Sequence, residues 1–72
     1  MNIVLVVIPG PGARSVTLAE NATVQDHISQ ENLTGRDIII NGRGVPYAQY
    51  ATTTIDQNAE VFATASVKGN NS

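Results

Sequence analysis

Near its start the chain strings together Ile3-Val4-Leu5-Val6-Val7-Ile8, a run that admits little except a β-strand. Nearly all of these residues are β-branched, and no helix cap precedes them. Both parities are apolar, which suits a strand in the middle of a sheet better than one at its edge. Pro9-Gly10-Pro11-Gly12 ends the run. Each proline removes a ladder donor and each glycine permits a tight turn. Arg14-Ser15-Val16-Thr17-Leu18 then alternates polar with apolar residues, which predicts a second strand in a hairpin with the first.

The period then changes. Thr23 and Asp26 stand at capping-box spacing, where the hydroxyl accepts from a backbone N–H three residues on and the carboxylate reaches back. Val24 and Ile28 share one face, and Gly35 follows where a glycine just past a helix end is expected. The pattern predicts a helix over residues 23–33. Its apolar face is narrow, so it must lean on a sheet. Residues 37–41, Asp-Ile-Ile-Ile-Asn, predict a third strand, and Asn41-Gly42 a turn with φ > 0. Val45-Pro46 offers only a short edge piece, because proline cannot donate to a ladder. Residues 55–59 read as a tight turn and residues 60–67 as the last strand. The expected domain spans residues 1–68, with 69–72 as a flexible tail.

Composition limits what such a chain can do. At 72 residues it holds one small domain, and without cysteine it has neither disulfides nor thiolate metal sites. The lack of cysteine fits a cytoplasmic protein. Net charge is -2, and Arg14, Arg36, Arg43 and Lys68 are scattered, so no basic stripe is present to neutralise phosphates. Nucleic acid is not expected as a ligand. Nor is a membrane, since the apolar opening is far shorter than the roughly 20 residues that cross a bilayer.

Strand, strand, helix, strand, short strand, strand is an order that a β-grasp satisfies compactly. The helix crosses back over one face of the sheet, and a right-handed crossover brings the third or the last strand beside the first. The expected fold is therefore α+β: a mixed sheet of about five strands with one helix on one face. Its first and last strands run side by side and parallel.

The residues also carry a family resemblance over nearly the whole chain. Ala22-Thr23-Val24 opens the single helix, Ile40-Asn41-Gly42 is followed by Val45-Pro46, and Ile55-Asp56-Gln57-Asn58-Ala59-Glu60-Val61 precedes and enters the last strand. In these features the chain resembles ubiquitin-like β-grasp proteins, and among them the ThiS and MoaD sulfur carriers. Carriers of that family end in Gly-Gly, and their C-terminal carboxylate is adenylated by an E1-like activating enzyme. Here the tail reads Lys68-Gly69-Asn70-Asn71-Ser72, with one glycine of the pair. The resemblance thus implies the fold, and it implies a carrier or modifier role only through Lys68 and Gly69.

Candidate sites are few. His27 is the sole histidine and is placed at the margin of the helix's apolar face, a surface or boundary position without a nucleophile or second histidine for acid–base work. Gly10-Pro11-Gly12 lacks the helix start of a phosphate loop. Asp26, Glu31, Asp37, Asp56 and Glu60 never reach metal-loop spacing. No catalytic residue, metal or cofactor is expected. Tyr47 and Tyr50 are expected to cover one end of the core with wet hydroxyls. Strand parity gives the sharper expectation. If Ile3, Leu5, Val7, Ile38, Ile40, Val61 and Ala63 face the helix, then Val4, Val6, Ile39, Phe62 and Thr64 face away from it. Those five would form an uncovered apolar patch, the usual mark of a protein interface. In the resembled family partners dock on that face. The expected function is a non-enzymatic module that binds another protein there.

Overall fold

Alternation decides the core before any long-range contact is considered. In the computed structural model, which describes residues 1–10 and 12–65, strand β1 (Asn2–Ile8) buries Ile3, Leu5 and Val7 and turns Val4, Val6 and Ile8 the other way. The strand begins one residue earlier than its apolar run, at Asn2. Strand β2 (Gly12–Thr17) returns antiparallel along β1 with Leu5 opposite Arg14 and Val6 opposite Ala13. It starts at Gly12, which has φ +89 and therefore belongs to the strand as well as to the turn before it.

Helix α1 (Val24–Glu31) opens on the reciprocal cap read from the sequence. The Asp26 backbone N–H donates to Thr23 Oγ1 at 3.2 Å, and the Thr23 N–H donates to Asp26 Oδ2 at 3.0 Å. Such a cap contributes about 1 kcal/mol. The helix stops at Glu31, earlier than expected, because Asn32 takes the left-handed conformation at φ 57 and ψ 52. Asparagine is one of the few residues besides glycine that tolerates this region. The reversal lets the Leu33 N–H donate to the Ile28 carbonyl at 2.9 Å and returns the Leu33 side chain to the core. Gly35 does not end the helix; at φ +87 it shapes the turn into strand β3 (Arg36–Ile40).

Strand β3 leads through Asn41 (φ 49) and Gly42 (φ 86) into the short strand β4 (Arg43–Gly44). Two consecutive positive φ values form the primed turn expected of Asn-Gly, with Ile40 opposite Arg43. The edge piece therefore lies two residues before Val45-Pro46. Proline has no N–H for the ladder, and Pro46 instead precedes a 3-10 turn at Tyr47–Gln49. Strand β5 (Glu60–Ala65) completes the sheet; the expected continuation to residue 67 lies outside the described residues.

The strand order is β2-β1-β5-β3-β4. Strand β5 lies between β1 and β3, parallel to β1 and antiparallel to β3. The last strand, not the third, is the neighbour of the first. This is the β-grasp-like topology expected from the element order: a mixed five-stranded sheet with one helix packed on it. The core between them combines Ile3, Leu5, Ile38, Val61 and Ala63 from the sheet with Val24 and Ile28 from the helix. Ile40 packs against this cluster and stays partly buried.

Candidate functional site

The face of the sheet away from α1 is built by register. Across the strands, Ala13, Val6, Phe62, Ile39 and Gly44 stand in one row, each directly opposite the next. One row lies on either side of it. On one side Val4 pairs with Ser15 and Glu60, and on the other Ile8 pairs with Thr64, which pairs with Asp37. Cross-strand neighbours on one face lie about 5 Å apart, so Val6, Phe62 and Ile39 form a continuous apolar band. Val4 is 38% exposed and Ile8 48% exposed, while Val6, Ile39, Phe62 and Thr64 are half-buried by one another.

The structure thus brings the five parity-assigned residues, Val4, Val6, Ile39, Phe62 and Thr64, onto one face. It adds Ile8, which the same period-two count in β1 reaches. Arg14 does not fold over the band. Its position opposite Leu5 puts it on the helix side, where its Nη2 donates to Glu31 Oε1 at 2.6 Å. Lys68 and Gly69, the two tail candidates, lie outside the described residues.

Among the described residues, charge on this face has one sign. Glu60 extends the Val4 row and Asp37 the Ile8 row, so a carboxylate stands on each side of the apolar band. Of the described cations, Arg14 and Arg43 sit opposite the helix-facing residues Leu5 and Ile40. Arg36 shares their side by parity, and its guanidinium donates to the Ile8 and Pro9 carbonyls at 3.1 and 3.2 Å.

Two residues occupy places the sequence did not assign to them. His27 is not at a boundary: it is 0% exposed, because it shares with Val24 and Ile28 the face that the short helix buries. Burial holds its imidazole below the ordinary histidine value; Glu31 pulls upward and Arg14 downward. Tyr50 is 6% exposed and belongs to the core, whereas Tyr47 is 84% exposed and packs edge-on against it, ring centroids 5.3 Å apart. Burial raises the Tyr50 hydroxyl above the usual phenol value, with the Ile38 backbone opposing and Asp37 and Tyr47 adding to the rise. Among the described residues no three histidine, cysteine or carboxylate side chains gather into a metal-binding group.

Fold and surface together define a small β-grasp-like domain with an extended apolar band on one face of its sheet. The chain matches no protein-family model and no curated protein.

Proposed function

We propose that this protein is a non-enzymatic interaction module that binds another protein through the open face of its sheet. The reading is carried by one observation: the half-buried band of Val6, Phe62 and Ile39, extended by the exposed Val4 and Ile8, lies on the sheet face opposite the helix, where no other described element packs over it. Apolar patches of this kind are kept where a partner covers them. Glu60 and Asp37 on either side of the band favour a partner whose apolar contact segment is bordered by lysine or arginine, since like charges would repel it. Val6→Asp and Ile39→Asp test this. Each puts a charge in the centre of the band without reaching the buried core. Protein captured from the native host by the wild-type chain should be lost with both variants, while far-UV circular dichroism and the urea midpoint stay near wild type. Equal capture by wild type and variants counts against the docking face. Unfolding of either variant counts against the assignment of these side chains to the outside.

The likeness to the ThiS and MoaD carriers supports a second reading, a sulfur carrier or conjugated modifier acting through the tail with an E1-like activating enzyme as partner. The parallel pairing of β1 with β5 in the middle of the sheet is the arrangement that this resemblance implies. Intact mass of the protein from its native host separates the two. A chain cut after Gly69 and carrying a thiocarboxylate or an adduct supports the carrier; an unmodified chain ending at Ser72 supports the module.

A further inference from the structure

His27 is enclosed in the core, and neither Nδ1 nor Nε2 has a hydrogen-bond partner among the described residues. A neutral imidazole already loses hydration at such a place, and an imidazolium loses far more. The charged groups that face it are Glu31, one helical turn on along α1, and Arg14, from β2. Those two residues are bound to each other. Glu31 Oε1 accepts from Arg14 Nη2 at 2.6 Å, and Glu31 Oε2 accepts from Gln30 Nε2 at 3.0 Å. The same Gln30 amide donates to the Thr17 carbonyl of β2 at 2.9 Å. The last turn of α1 is therefore clasped to the edge strand through Gln30 and Glu31, and Glu31 lies one helical turn from His27. Residues four apart on a helix meet on one face, so Glu31 can serve either partner.

We propose that His27 is an acid-sensitive latch: on protonation it draws Glu31 away from Arg14 and releases the edge strand β2 from α1. Acid would thereby loosen β2, an edge strand that is otherwise held on one side only, by its pairing with β1. The direction follows from linkage. The folded state disfavours the charged imidazole, so the unfolded chain binds the proton more readily. The contribution of neutral His27 is complete above the ordinary histidine value of about 6.5 and is lost as pH falls below it, levelling off beneath the native value. The chain has one histidine and no cysteine, and histidine is the side chain whose ordinary value puts its charge change between about pH 5 and about pH 8. The window between about pH 5 and about pH 6.5 therefore reports on His27.

Urea unfolding across that window tests the latch. The folded-to-unfolded ratio of the wild-type protein should fall by up to about tenfold per pH unit. His27→Met, which keeps the volume and removes the titration, should show no such fall. Amide exchange of residues 13–17, compared between the two proteins at each pH, should accelerate in the wild type before that of β1 and β5. Parallel pH profiles for wild type and His27→Met overturn the proposal, and so does unchanged protection of β2. If His27→Met does not fold, the ring protons of wild-type His27 decide by nuclear magnetic resonance. A midpoint below about 6.5 with β2 amides moving in step upholds the latch; a midpoint at or above that value, or β2 amides that do not follow, overturns it.

Discussion

Leu5→Ala should cost about 2–5 kcal/mol, while Val6→Ala, its neighbour in the same strand, should cost about 1 kcal/mol or less. Leu5 is fully enclosed between α1 and the sheet, opposite Arg14 on one side and Val61 on the other. Removing its isobutyl group forfeits transfer energy and leaves a cavity that the close-packed surroundings fill only in part. A single core in a domain of this size rarely supplies more than about 3–5 kcal/mol of net stability. Leu5→Ala therefore removes most of it, and a large unfolded fraction should be visible by circular dichroism without denaturant. Val6 has lost only part of its exposure to water, so its truncation forfeits correspondingly little. Urea midpoints for the pair measure the difference. Equal costs at the two positions would mean that the sheet is covered on both faces and that the docking band does not exist.

That contrast was readable from the chain because a strand has a period of two and β1 lies where both parities could be assigned. The Thr23–Asp26 cap and the Asn41-Gly42 turn were equally readable, since each is fixed by contacts within four residues. What the sequence left hidden depends on distant residues. Asn32 preempts Gly35 as the helix end because Leu33 has a core to return to. His27 looks like a boundary residue by polarity, yet a helix of eight residues with Val24 and Ile28 buried has no other way to orient it. The i, i+3, i+4 spacing of Val24, His27 and Ile28 is the signal in the sequence for its burial. The carboxylates flanking the band, Glu60 and Asp37, emerge only once β5 is inserted between β1 and β3. No local pattern encodes that insertion.

Tyr50 is the other hidden anchor, and Tyr50→Ala is expected to cost about 3–5 kcal/mol, on the scale of removing a buried aromatic ring. Its segment does more than fill the core. The Tyr50 carbonyl accepts from the Gln25 N–H at 2.9 Å, and the Thr53 carbonyl accepts from the Val24 N–H at 2.9 Å. Thr54 forms a bridge with Thr23, and the Ile55 N–H donates to the Ala22 carbonyl at 3.0 Å. The first N–H groups of a helix have no partner within it. Here the loop supplies those of Val24 and Gln25, and Thr23 supplies that of Asp26. Without the ring holding residues 50–55 in place, α1 loses partners at its N-terminus as well as packing beneath it. Amide exchange at Val24 and Gln25 should therefore accelerate in Tyr50→Ala by more than the drop in global stability explains. Tyr50→Phe keeps the ring and should preserve both stability and protection to within about 1 kcal/mol. Tyr47→Ala removes an exposed side chain and should leave the urea midpoint close to wild type. If Tyr50→Ala is no more damaging than Tyr47→Ala, the loop is held by its backbone alone, and the start of the helix does not depend on the aromatic ring.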